Sequence, residues 1–218
     1  MPQQPAVQTP TRERILDSGE QLMRTIGLAR ATTKEIARAA QCSEAALYKH
    51  FSSKEDLFVA VLHERLPSLL PLLDELTRDP GDRSLQAALC EIARRATLFY
   101  EAHMPITASL FAEPSLLQRH REGLRPLGAG PQQPLLALTR YLELERAQGR
   151  VRPDADPGAA AALLLGACFQ RAFLRHFMGE TGPEEAARGG SAGDSVDSFA
   201  AELTGTLLVG LGAPETGS

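Results

Sequence analysis

Apolar positions in this chain recur at spacings of three and four almost throughout, and no segment alternates convincingly with the period of two that a strand needs. The pattern predicts an all-α protein. Residues 1–10 carry three prolines and no apolar stripe, and read as a flexible arm. Ile15, Gly19, Leu22 and Ile26 then form the core-facing stripe of a first helix, which Gly27 ends. Residues 32–54 predict two short helices joined by a tight turn. Thr32 and Glu35 have capping-box spacing, and Ile36, Ala37 and Ala40 make one small apolar face. Ser43 suits the cap of the next helix, Glu44 to Phe51, with Leu47 and Phe51 pointing inward. Ser52 or Ser53 caps a further helix, whose inner face is Leu57, Phe58, Val61 and Leu62, and Pro67 and Pro71 should kink or end it.

The remainder reads as helix separated by turns. Asp79-Pro80-Gly81-Asp82 is a turn, followed by a helix over 84–103. A short apolar piece spans 105–112, Pro114 interrupts it, and a polar segment follows. After a Pro/Gly loop at 124–134 comes an amphipathic helix over 135–148, stopped by Gly149. Asp156-Pro157 opens a helix to about Phe177. Residues 179–193 form a small-residue loop, and 195–211 the last helix.

The paired helices at 32–54 are a helix-turn-helix, whose second member exposes Glu44, Ala45, Tyr48, Lys49 and His50 and suits a DNA major groove. The stretch also resembles the TetR/AcrR family of transcriptional regulators. The resemblance rests on Thr32, Ile36-Ala37, Ser43, Leu47-Tyr48, Phe51 and Ser53-Lys54-Glu55, within a match over about residues 11–62. It departs from the pattern at Gln41-Cys42, where the family has Gly-Val. Glycine is favoured there because it takes positive φ freely, so Gln41 implies strain or a different turn. The resemblance implies a helix-turn-helix DNA-binding domain over 11–62 and a helical effector-binding and dimerisation domain over 63–218. It implies phosphate contacts from Thr33, Tyr48 and Lys54. Ser43, Ala45, Ala46, Lys49 and His50 are the groove-facing candidates. Glu44 either accepts from a cytosine amine or favours its own helix start. Arg12 and Arg14 oppose the dipole of the first helix, so they either reach a phosphate or form a solvated turn.

The net charge of −4 looks wrong for a DNA binder. Through Arg65 there are nine basic and eight acidic side chains, which makes the amino-terminal part +1 and the remainder −5. Random DNA should therefore be bound poorly, because non-specific affinity comes from phosphate neutralisation.

The helix opened by Pro157 has two apolar stripes, one of Leu163, Gly166, Ala167, Gln170 and Leu174, the other of Phe169, Phe173 and Phe177. With Phe199, Leu203 and Leu207 on the last helix, the spare face predicts a homodimer. Family members enclose a small-molecule pocket, and here Phe99, Tyr100, His103, Met104, Phe111, Phe169, Phe173, His176 and Met178 would wall one for an apolar or aromatic effector.

Cys42, Cys90 and Cys168 lie far apart, without the spacing of a zinc site, and suit a reducing cytoplasm. No signal-peptide pattern opens the chain. The longest unbroken apolar run, 159–169, is about half of the roughly 20 residues a spanning helix needs, so no membrane partner is expected. Nucleotide-binding, metalloprotease and serine-hydrolase motifs are missing, and Glu101-x-His103 and His120-x-Glu122 have the wrong spacing for a di-metal bundle site. The expectation is a regulator without cofactor or metal, a homodimeric repressor released from a palindromic operator. The rival is an all-helical small-molecule-binding protein or enzyme without operator binding.

Overall fold

The computed structural model describes residues 10–28, 30–65, 68–78, 83–124, 130–179 and 195–211. The arm over 1–9, the 79–82 turn, Pro67 and nearly all of the 179–193 loop lie outside them. Every regular element among the described residues is a helix. The helices are α1 (Thr11–Ile26), α2 (Thr33–Ala39), α3 (Glu44–Tyr48), α4 (Lys54–Glu64), α5 (Leu70–Arg78), α6 (Leu85–Phe111), α7 (Pro114–Leu124), α8 (Gln133–Ala147), α9 (Pro157–Met178) and α10 (Val196–Leu211).

The chain packs as two units. One comprises Met1–Leu66 with Pro105–Gly128, the other Pro67–Met104 with Ala129–Ser218. Residues 105–128 thus join the amino-terminal unit rather than the domain expected over 63–218. Two further differences concern proline. The helix over 84–103 and the piece after it are one helix, α6, which carries Pro105 inside it. Pro114 starts a helix rather than ending one, because a first-turn residue has no helical acceptor for its N–H.

In the amino-terminal unit, α1, α2, α3, α4 and α7 surround a core that includes Ile15, Leu16, Ile36, Leu47, Leu57 and Phe58, all buried. Each such side chain contributes about 1.5–3 kcal/mol on leaving water. A Cβ on Gly19 would stand 3.1 Å from Val61 Cγ2, so glycine lets α1 lie close against α4. In the second unit, α8 packs between α5 and α9, and α10 lies on α9. The core there runs through Leu73, Leu89, Ile92, Leu138, Leu164 and Cys168.

The most apolar 18 residues of α9 have a mean hydropathy of 1.3, which by length and composition alone would allow membrane crossing. The unbroken run in the sequence understated this helix, because Gln170 and Arg171 interrupt it without lowering the average enough. Yet Ala161, Leu164, Cys168 and Ala172 are buried in the unit's core, and Arg171 and Arg175 occupy the last turns. All three cysteines are free, and burial pushes the Cys168 thiol up to about 11.

Candidate nucleic-acid interface

The helix-turn-helix is built by its caps. Thr32 Oγ1 accepts from Glu35 N–H at 3.2 Å, and the Glu35 carboxylate accepts from Thr32 N–H at 3.1 Å, completing the box. These bonds from Thr32 hold the Glu35 carboxyl below the usual carboxylate range. Ser43 Oγ accepts from Ala46 N–H at 3.1 Å and starts α3. Between them Gln41 sits at φ +54°, the one non-glycine residue with positive φ among those described. The turn therefore keeps the left-handed geometry that glycine would supply, and the side chain bears the strain.

Helix α3 is shorter than its sequence suggests. Its last residue is Tyr48 and Lys49 is the C-cap. His50 N–H and Phe51 N–H both donate to Leu47 O, at 2.9 and 3.1 Å, so one tightened turn follows. That turn still carries Phe51 inward. Leu47 is wholly buried and Phe51 is 5 % exposed.

Around this anchor the sequence candidates separate by exposure. Ser43, Ala45, Tyr48, Lys49 and His50 are exposed, whereas Thr33, Ala46 and Lys54 are half-buried. Two of the three phosphate candidates touch each other, with Tyr48 Oη donating to Thr33 Oγ1 at 3.4 Å. Thr33 Oγ1 in turn donates to Glu44 Oε1 at 3.2 Å. Glu44 thus ties α3 to α2, a third role that its place in the first turn did not suggest. Lys54 follows the α4 cap Ser53, whose Oγ accepts from Asp56 N–H at 3.0 Å. Its ammonium lies 5.0 Å from the centre of the Phe58 ring, a cation–π contact that steadies a cation at an unfavourable helix end.

Arg12 does not reach outward. Its guanidinium makes two bonds to the Glu64 carboxylate, at 2.7 and 2.6 Å, and lies over the Phe51 ring. Arg14 is half-buried and turned back towards Thr11. Arg65 bonds to Asp17 at 2.6 Å and also to Glu13. Sequence alone could not separate these pairings from phosphate contacts, because the partners lie on distant stretches.

The effector candidates of the second unit gather in part. Phe99 meets Tyr100 edge-on at 5.1 Å, Tyr100 meets Phe169 edge-on at 5.5 Å, and His103 lies 4.0 Å from the Phe99 ring. Burial pushes the Tyr100 hydroxyl up to about 12. Met104 is buried, and Phe173 stacks on Phe177 at 5.7 Å. His176 Nε2 is 2.9 Å from the carbonyl oxygen of Glu101. Phe111 belongs to the amino-terminal unit and is 65 % exposed.

The dimer candidates divide likewise. Leu163, Gly166, Gln170 and Leu174 are exposed along α9, while Ala167 and, on α10, Phe199, Leu203 and Leu207 are half-buried. Val209, absent from the predicted face, is 86 % exposed. Among the described residues, no three metal-ligating side chains gather.

A capped helix-turn-helix with a polar, exposed second helix defines a DNA-reading protein. Comparison with known proteins places it more narrowly. Residues 15–61 match the model of bacterial regulatory proteins of the tetR family, and residues 121–202 match the AefR-like transcriptional repressor C-terminal domain. The chain is 31% identical over 109 residues to the uncharacterized HTH-type transcriptional regulator YvkB of Bacillus subtilis (strain 168). That match spans 50% of this chain and 55% of the relative, about half the length of each. The fold resembles that of a TetR-family transcriptional regulator from Mesorhizobium loti, with TM-score 0.69, 18% identity and coverage of 93% and 96% of the two chains. It also resembles the FadR regulator of Bacillus subtilis solved with stearoyl-CoA, with TM-score 0.62, 14% identity and coverage of 91% and 98%. The chain belongs to the TetR family of DNA-binding transcriptional regulators, and it is a regulator rather than an enzyme.

Proposed function

We propose that this chain works in the cytoplasm as a homodimeric repressor that leaves a palindromic operator when a small apolar or aromatic effector binds. The observation that carries the reading is the division of the recognition helix. Leu47 and Phe51 anchor it in the core while Ser43, Ala45, Tyr48, Lys49 and His50 stay exposed. Thr33, Tyr48 and Lys54 position it on phosphates, and the exposed α3 residues, with Ala46, read base edges. Two recognition helices about 35 Å apart would fit successive major grooves.

The dimer reading is supported by α9 and α10. Leu163, Phe177, Met178 and Val209 each expose more than half their surface in the single chain. Two copies of these helices packed face to face would cover them. For the effector, the aromatic seam of Phe99, Tyr100 and Phe169 between α6 and α9 is the proposed centre, with His103, Met104, Phe173 and His176 around it. The stearoyl-CoA in the structure of the FadR relative carries an apolar acyl chain on a charged CoA group, and only the acyl part has that general chemistry. An effector acts only through its different affinity for the two conformations.

The test is binding of the purified protein to DNA upstream of its own gene, over a salt series. Tight, salt-sensitive protection of a palindrome is expected, and Lys49→Ala with Lys54→Ala should weaken it, the loss of Lys54 flattening the salt slope by about one phosphate per subunit. Unchanged affinity in the double variant would remove the site assignment. Binding no tighter than to random DNA would favour the small-molecule-binding rival.

A further inference from the structure

The amino-terminal unit contains two histidines that DNA recognition does not use. His63 lies in the last turn of α4 and is exposed, and His120 lies on α7 and is half-buried. Their ring centres are 6.1 Å apart, with the planes tilted by 42°. His120 Nδ1 is shut off from solvent and has no hydrogen-bond partner. The ring lines an apolar recess with Phe58, Leu62, Ile106, Leu110 and Leu116.

This setting suits a neutral ring whose proton is on Nε2, leaving Nδ1 as a bare acceptor. A second proton would make a buried donor without an acceptor, and a charge against hydrocarbon. Several charged groups on the packed elements already have partners. On α4, Glu55 pairs with Arg119 and Glu64 with Arg12. Residues 106–110 of α6 include no ionisable side chain. On α7 itself, Arg121 is exposed and Glu122 accepts from Gln118 Nε2. Glu113 precedes α7 and Arg30 follows Leu28 of the recess. Among the described residues none of these carboxylates bonds to His120, so no counter-charge awaits a second proton. Burial first, and the charge of His63 second, lower the His120 pKa from its ordinary 6.5.

We propose that the His63–His120 pair is a pH-sensitive catch that holds α7 against α4, closed while His120 is neutral and loosened in mildly acid solution. The sign follows from linkage. Docked, His120 takes a proton less readily than it does in water, so the undocked form binds more protons. Docking has its full strength above the ordinary pKa of 6.5 and weakens as pH falls through it towards the lower docked value. The loss is about tenfold in the docking equilibrium for each pH unit between those two values. Helix α4 starts at Lys54, just after the recognition helix, so a loosened α7 leaves the support of α3 less firmly held. That last consequence for operator affinity rests on the function proposed above, whereas the catch does not.

The experiment uses the full chain in chelator-treated buffer. Histidine ring signals are followed by NMR from about pH 8 to about pH 5, and amide exchange of α7 is measured near each end, corrected for intrinsic rates. His120 should titrate below its ordinary 6.5, and α7 protection should fall towards acid. In His63→Ala the His120 pKa should rise yet stay under its ordinary value, because burial remains. In His120→Phe the pH dependence of α7 protection should vanish. Titration of His120 at or above 6.5 would overturn the catch, as would α7 protection that is equal at both ends or unaltered by His120→Phe. Should His120→Phe fail to fold, the wild-type titration and His63→Ala decide alone. A protein that binds no operator but shows these titrations would lose its assigned function and keep the catch.

Discussion

His176 bonds to the carbonyl oxygen of Glu101 that Pro105 has no N–H to satisfy. In a regular helix the residue four positions on donates to each carbonyl, and at that place α6 has proline. His176, on α9, lies 2.9 Å from the oxygen, and since a carbonyl only accepts, Nε2 donates. His176→Ala should cost about 1 kcal/mol, the usual net value of such a bond, more if the carbonyl is left dry. Urea denaturation checks this. A variant as stable as the wild type would show that the oxygen finds another donor.

Gln41→Gly should stabilise the reading head. A non-glycine residue in the left-handed region costs about 1–2 kcal/mol, and the freer unfolded glycine gives back roughly 0.4–1 of that. A net gain of about 0.5–1 kcal/mol is expected, a few degrees in Tm. A lower Tm would mean that the Gln41 side chain makes a compensating contact.

Removing the two ends of the Glu145–Arg150 pair should have unequal effects. Glu145 is 1 % exposed, and Arg150 bonds both its oxygens, at 2.5 and 2.7 Å. Tyr141, also buried, has its hydroxyl pKa pushed up by burial and by this carboxylate. Arg150→Met strands a buried charge and should cost about 3 kcal/mol. Glu145→Gln frees an arginine that already reaches water, and about 1–2 kcal/mol is expected. Equal losses by calorimetry would contradict this asymmetry.

Acid should expose a third ion cluster. Arg94 and Arg95 hold the Glu91 carboxyl down to about 2. A depressed acid stabilises above its ordinary pKa of 4.5, and that contribution is lost as pH falls from there through 2. Since both arginines are partly exposed, solvent screening reduces it to about 1 kcal/mol. Glu91→Gln should be less stable than wild type at neutral pH by that amount and should close the gap towards pH 2. A constant gap across the range would locate the effect elsewhere.

Leu163→Glu should weaken self-association. It places a charge on a 65 % exposed apolar site of α9, where burial against a partner would cost several kcal/mol. Sedimentation should show the proposed dimer of the wild type replaced by monomer in the variant, with melting little changed at high dilution. An unaltered molecular mass would move the proposed interface off this stripe.

The parts that were legible in the sequence are those set by local chemistry. The Thr32 box, the Ser43 cap and the Asp156 cap all form, because each depends on residues within one turn. The buried positions of α2 and α3 also follow directly from spacing. What stayed hidden depends on distant partners. Arg12 with Glu64, Thr33 with Glu44 and His63 with His120 join stretches that no periodicity relates. Pro105 misled for a related reason, since the helix around it persists and α9 supplies a donor to the carbonyl it deprives.

Arg12 held by Glu64, and Arg65 held by Glu13 and Asp17, leave the reading head with little charge to spare for phosphates. A genome offers on the order of a million or more decoy sites, each competing through charge alone. A protein that already neutralises Arg12 and Arg65 internally spends less time on those decoys and is less depleted by them. Few molecules per cell would then suffice to keep one operator occupied.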